Sequence, residues 1–382
     1  MQRFGSGIRG EWLLRPDAAF LNHGSFGACP RRVLEYQRAL QDALERQPVA
    51  FMLGVEARLR EALRPVGTLL GAHADDLVFV ANATDGVNAV VRSLELEAGD
   101  RIVTTSWAYG AVANTLRYVA RRVGATVEVA HLPFPVGPEG VDWGEVEAKL
   151  DGARLLVIDH IASKTAVVLP VEAIVAAARA RGVPVLIDGA HAPGQIPLDL
   201  DGLGADWWVG NLHKWSFAPK GCAVLHVRVD RREGLHPTAI SHGLDRGLHA
   251  EFDWTGTRDP TAWLSAPAAV AFVNDLGIDA MWAYQHHIRE RGLALLTEAW
   301  GVERTAPASC LAAMATVPLP FEAEATEVVG NALRAQLWER HRVEAPFVPL
   351  DGRMWLRFSA QVYTDLSEVE RLAAAIGPDG VR

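Results

Sequence analysis

Between residues 76 and 227 the chain alternates short apolar runs with helix-like segments. The stretches 76–81 (DLVFVA), 100–106 (DRIVTTS), 125–132 (ATVEVAHL), 154–160 (RLLVIDH), 183–189 (VPVLIDG), 205–210 (ADWWVG) and 222–227 (CAVLHV) read as seven strands. Helical periodicity covers 85–94, 111–124 and 171–182 between them. Strands that are apolar on both faces and separated by helices predict an α/β fold with a mostly parallel sheet between helix layers. A further amphipathic helix is predicted over 31–46, entered through the turn residues Gly24, Gly27 and Pro30. After about residue 260 the texture changes. Long helical patterns precede the strand candidates LAAMATVPL and MWLRFSA, which predicts a second, smaller α+β lobe.

In a parallel sheet, ligands bind beyond the carboxyl ends of the strands. The residues that follow each apolar run are therefore the first candidates for chemistry. They are Asp188 in DGAHAPGQ, Asp159 in DHIASKTA, the segments NATDG and WAYGA, and NLHKW. Polar, titratable and aromatic residues thus gather at one edge of the predicted sheet. Any one of these aspartates taken alone reads equally well as a helix cap.

Composition narrows the field. The formal net charge is −9 and no basic run exceeds a pair, which argues against a nucleic-acid binder. The three cysteines are far apart, with no metal-ligand spacing and no disulfide framework, as fits a reducing cytoplasm. No metal ligand set is expected. The start MQRFGSGIRGEW lacks the apolar stretch of a signal peptide, so a cytoplasmic enzyme is expected.

Lysine is scarce: of the 37 Lys+Arg residues only Lys149, Lys164, Lys214 and Lys220 are lysine. A lysine amine can lose its proton and attack a carbonyl, whereas a guanidinium stays charged. Lys214 lies in NLHKWSFAPKG, after a predicted strand and beyond Asp188. A lysine and a strand-end carboxylate, with Thr84-Asp85-Gly86 opening a helix after a strand and Tyr109 after the next one, are the parts a pyridoxal phosphate site needs. Lys164 is the rival lysine but lacks the strand–histidine context.

The motifs DGAHAPGQIPLDL and NLHKWSFAPKGCAVLHV together resemble the class V aminotransferase superfamily of fold-type I pyridoxal phosphate enzymes. FLNHGSFGACPRRVLEYQ, ANATDGVNAVV and TGTRDPTAWL resemble its isopenicillin N epimerase-like branch, which also includes carbon–sulfur lyases. The likeness runs from about residue 20 to MWLRFSAQVYTDLSEVERL. It implies a large cofactor-binding domain over 21–260, a small domain over 261–382, and an N-terminal segment, 1–20, packing with the small domain. It implies that Lys214 forms the Schiff base and serves as acid–base group, that Asp188 pairs with the pyridinium nitrogen, and that His191 and Ser163 approach the ring hydroxyl. Ser163 occupies a position where many relatives have asparagine. The resemblance further implies that Tyr109 stacks on the ring and that Thr84, Asp85 and His213 surround the phosphate. Thr257 would reach the phosphate of a neighbouring subunit, which makes a homodimer the expected form. Arg357 would clamp the substrate carboxylate, and Asn22 and His23 would line the substrate pocket.

The expected reaction is chemistry at the Cα of an amino acid or amino-acid conjugate, with epimerisation as the first reading. β-Elimination from a cysteine conjugate and transamination are the alternatives. A desulfurase using a protein cysteine is disfavoured, because HRVEAPFVPLDGRMWLRFS carries none. A nicotinamide dehydrogenase would need a glycine fingerprint, and VFVANATDG is not one. A non-catalytic binding protein would not need both Lys214 and Asp188.

Overall fold

The computed structural model describes residues 4–377 and 380–381. Twelve strands occur among them: β1 (Ala19–Phe20), β2 (Leu77–Val80), β3 (Arg101–Thr105), β4 (Thr126–Ala130), β5 (Leu155–Asp159), β6 (Val185–Asp188), β7 (Trp207–Asn211), β8 (Ala223–Val227), β9 (Met314–Pro318), β10 (Val343–Glu344), β11 (Phe347–Leu350) and β12 (Arg353–Ser359). The seven predicted strands form one sheet in the order β2-β8-β7-β6-β5-β3-β4. Strands β3 to β7 are mutually parallel, and β8 alone runs against its neighbours β2 and β7. The fold is therefore the expected α/β architecture with one reversed strand. The short turn after Asn211 leaves no room for a crossover helix, so β8 must return antiparallel beside β7.

Alternate residues of each central strand enter two different apolar layers. Leu156, Ile158, Ile187 and Trp208 point into one, while Leu155, Val157, Leu186, Trp207 and Val209 point into the other. Burial on both faces explains the unbroken apolar runs. The first layer continues into the C-terminal part of the chain, where β11, β12 and β9 form an antiparallel three-stranded sheet. The N-terminal segment lies against that part: β1 pairs with β10, and the Gly5 amide donates to the Val362 carbonyl at 2.7 Å. The helix Ala266–Leu276 packs against Val55–Leu70, and Ile278–Trp300 packs against β9 and against Leu366–Ala375. Among the described residues, no helix is long and apolar enough to cross a membrane.

Candidate active site

The carboxyl ends of β5, β6 and β7 open into a cavity of about 500 Å³. Asp159, Asp188 and Asn211, the last residues of those strands, line it together with Tyr109, Ser163, His191, His213 and Lys214. Because the strands are parallel, one sheet edge collects residues that are far apart in sequence.

Lys214 is held by a tightly fitted turn. Phe217 has φ of 62°, a left-handed conformation unusual for a bulky residue. Across from it Gly27 has φ of 69°, and a Cβ there would lie 2.1 Å from the His213 carbonyl oxygen. Only glycine permits that approach. The Lys214 amine stands 3.2 Å from His191 Nε2, and the Trp215 indole nitrogen stands 3.5 Å from His191 Nδ1. An indole N–H can only donate, so Nδ1 accepts and the neutral imidazole carries its proton on Nε2. That N–H then donates to Lys214, which accepts only as the free amine. Electrostatics agree. Burial, reinforced by the Arg357 charge, lowers Lys214 to about 7 against the opposing pull of Asp188 and Asp159. Burial and the nearby Lys214 charge hold His191 well below the ordinary imidazole range. Lys164 instead donates to the Pro349 carbonyl and Lys220 to the Gly27 carbonyl, each at 3.0 Å, and neither lines the cavity.

Asp188 accepts the Ala190 amide at 3.0 Å through Oδ1. Burial raises its affinity for a proton, and Lys214 opposes that. Asp159 sits beside it at the matching register position.

At another side of the cavity the helix Ala83–Ser93 presents its N-terminus, with Ala83 and Thr84 in the lining. The dipole of such an end, with any amide left free, suits a phosphate. Asn82 Oδ1 takes the Asp85 amide and Asn211 Oδ1 takes the Ala83 amide, both at 2.9 Å. Asp85 itself does not line the cavity. Its carboxylate accepts the Thr238 hydroxyl at 2.8 Å and the Ala81 amide at 3.3 Å. The structure thus gives it a role in fixing the turn rather than in facing an anion. His213 Nδ1 must donate to the Cys222 carbonyl, 3.0 Å away, which leaves Nε2 available. Burial holds this ring neutral, at about 4.

Arg357, on β12, is buried and donates to the Ser163 carbonyl at 2.5 Å, the Ser163 hydroxyl at 3.2 Å and the Ser25 hydroxyl at 3.1 Å. Its Nε has no partner, and among the described residues no carboxylate pairs with it. Burial lowers it to about 10. Asn22 braces this corner from outside the lining. Its amide donates to Glu344 at 2.9 Å and its oxygen accepts from Ser25 at 2.6 Å. His23 is not brought to the cavity, contrary to the sequence expectation. One ring nitrogen bonds the Tyr363 hydroxyl at 2.6 Å and the other the Lys214 carbonyl at 3.0 Å, so the imidazole is a buried tie between elements. Thr257 lies at a separate surface depression with Pro48, Met52 and Trp254, so the single chain does not bring it to the cavity. Ser25 and Phe26 carry no sequence signal that points to the cavity. They line the cavity because the short helix His23–Phe26 sets Ser25 against Arg357 and leaves Phe26 exposed at the mouth.

Comparisons with known proteins agree with this architecture. The family profile described as Aminotransferase class-V matches residues 31–372. The chain is 34% identical to a probable chloroplastic L-cysteine desulfhydrase of Arabidopsis thaliana, over 94% of this chain and 82% of that one. It is 33% identical to isopenicillin N epimerase of Streptomyces clavuligerus, over 96% of both. Among solved structures, the cysteine desulfurase of Thermococcus onnurineus NA1 superposes with a TM-score of 0.83 at 20% identity, covering 98% of this chain and 97% of that one. The cystine C-S lyase C-DES superposes at 0.81 with 21% identity, covering 95% and 99%.

Proposed function

The chain belongs to the class-V aminotransferase family of pyridoxal phosphate enzymes, and from that premise we propose that it is a β-eliminating carbon–sulfur lyase acting on L-cysteine or a small cysteine conjugate. The observation that carries the reading is a free lysine amine in the cavity together with a buried guanidinium just behind it, which has no carboxylate partner of its own and bonds the lining residues Ser25 and Ser163. A buried cation without a counter-ion is costly, and an amino-acid carboxylate is the anion whose two oxygens fit its fork.

The residues suit pyridoxal phosphate. Lys214 would hold its carbonyl carbon, Asp188 its ring nitrogen, and the helix end at Ala83 and Thr84, with His213, its phosphate. Tyr109 and His191 would flank the ring, with Ser163 near the ring hydroxyl. When bound, the group supplies an electron sink for negative charge at Cα. The chain's own residues do the rest. Arg357, with Ser25 and Ser163, fixes the substrate carboxylate. The neutral Lys214 amine takes the Cα proton, and His191 Nε2 holds that amine in place. The resulting ammonium is positioned to return a proton to a departing sulfur. With water the balance for L-cysteine is pyruvate, ammonia and sulfide.

Support for elimination over epimerisation comes from the relatives. Several are named as L-cysteine desulfhydrases, at up to 34% identity. Transfer of sulfur to a protein cysteine is not supported. No cysteine lines the cavity among the described residues, and burial pushes the Cys29 thiol up to about 12. Epimerisation stands as the second reading, favoured by the full-length match to isopenicillin N epimerase. The apolar surface beside Thr257, where Val49 and Leu53 are exposed, supports a homodimer in which Thr257 serves the partner's phosphate site. The test is stoichiometric. Incubation with L-cysteine, cystine or S-alkyl cysteines in deuterium oxide is expected to release pyruvate in equal amount with sulfide, cysteine persulfide or the alkyl thiol, respectively. Deuterated D- and L-enantiomers without pyruvate would favour epimerisation.

A further inference from the structure

Asp159 has no role in the chemistry above, yet it ends β5 directly beside Asp188, the last residue of β6. Register partners on adjacent parallel strands lie about 4.8 Å apart and present their side chains to the same face. Both carboxyls are buried and both line the one cavity. The groups that face them are few. The Ala190 amide donates to Asp188, and the Tyr109 amide donates to Asp159. Lys214 is the basic group that acts on both carboxyls, and Arg357 and His191 lie beside Lys214. Lys214 accepts a hydrogen bond as a free amine, and Arg357 is engaged with the two serines. Two ionised carboxylates this close and out of water repel each other strongly. One proton between them removes the repulsion and adds a hydrogen bond.

We propose that Asp159 is a positioning residue that keeps a proton at neutral pH and shares it with Asp188, so that the pair presents a single negative charge, borne by Asp188, to the ring nitrogen of pyridoxal phosphate. The inference rests on the reading of Asp188 given above. Burial, with the neighbouring Asp188 charge, pushes Asp159 well above the ordinary carboxyl range, in the same direction. The shared proton tempers the basicity of Asp188 and fixes the orientation of its free oxygen. An asparagine at 159 can replace the O–H donor with an N–H donor and leave the charge unchanged. An alanine cannot.

Infrared spectroscopy of protein labelled with carbon-13 aspartate tests this directly. The carbonyl stretch of a protonated carboxyl is recorded at neutral pD for native protein and for Asp159→Asn, with and without pyridoxal phosphate. An aspartate-labelled band is expected in the native protein and is expected to be missing in the variant. Burial raises Asp253 only to about 6, so it is mostly ionised under these conditions. A native protein without the band, or a variant that keeps it, overturns the proposal. If the variant does not fold, the native spectrum still decides. Equilibrium dialysis gives the second readout. Asp159→Asn should hold pyridoxal phosphate within about threefold of native affinity, and Asp159→Ala should weaken it by about tenfold or more. The reverse order overturns the proposal. Failure of native protein to bind pyridoxal phosphate at all would instead sink the reading of the site, and the band in the unloaded protein would still report the shared proton.

Discussion

His191 Nε2 stands 3.2 Å from Lys214 Nζ, and the far side of the same ring is held by Trp215 at 3.5 Å. The order of donors is fixed by the indole, which can only give its proton. The lysine at the end of this chain receives a hydrogen bond and is therefore the free base. Replacing Trp215 with phenylalanine keeps the buried bulk but releases Nδ1. The ring can then protonate on Nδ1 and accept from a lysine ammonium. The pH midpoint for acylation of Lys214 in the unloaded protein should rise above about 7, while burial and the Arg357 charge, which the variant keeps, still hold it below its ordinary value of 10.5. Peptide mass mapping of a trace-labelled sample gives the midpoint. An unchanged value would break the link between the indole and the amine.

Arg357 is predicted to matter for substrate more than for stability. Arg357→Met removes a buried cation that no carboxylate offsets, and such replacements are often neutral or stabilising. The thermal midpoint is expected to hold or rise, while KM for the amino acid climbs by about tenfold or more. A collapsed midpoint with KM unchanged would assign the arginine to the fold.

Lys214 also carries a pH signature in stability. Its folded value, about 7, lies below the unfolded 10.5, so the unfolded chain binds more protons between these limits. The residue therefore destabilises the unloaded protein fully below pH 7, and the penalty fades as pH rises to 10.5. Lys214→Met should make the unloaded protein more stable at pH 6–7, by on the order of a few kcal/mol after the lost attraction to Asp188 is counted. The difference from native should close by about pH 10.5. Denaturant melts across that range measure it, and a gap that widens with pH would contradict the assignment.

Gly27→Ala is predicted to fail for two separate reasons. The backbone is left-handed there, and the new Cβ would sit 2.1 Å from the His213 carbonyl oxygen and 3.0 Å from Lys214 Cα. Destabilisation of at least about 2 kcal/mol is expected, with Lys214 displaced. A variant as stable as native, with native lysine reactivity, would show that the turn is not the constraint described.

The sheet was legible in the sequence because both faces of its central strands are buried, which writes them as largely apolar runs, while the partly exposed edge strand β4 keeps an alternating pattern. The reversed direction of β8 was not, since CAVLHV reads the same in either sense. The helix Val55–Leu70 is masked in the sequence because Pro65 interrupts its pattern. Lys214, Asp188 and His191 were legible because strand ends and turn residues flag them. Ser25 carried no signal of its own, as its place depends on a short helix packed against β12. For His23 and Asp85 only the family resemblance points to the site. Their side chains are taken up by Tyr363 and the Lys214 carbonyl in one case, and by Thr238 in the other. Contacts between distant segments of this kind leave no local trace.

Borohydride reduction of the protein loaded with pyridoxal phosphate, followed by peptide mass mapping, tests most directly whether Lys214 is the reactive amine. The pyridoxyl group is predicted on Lys214 alone, with no labelling in Lys214→Ala. A pyridoxyl group on Lys164 or Lys220, or equal labelling of the alanine variant, would contradict the assignment on which the proposed chemistry depends.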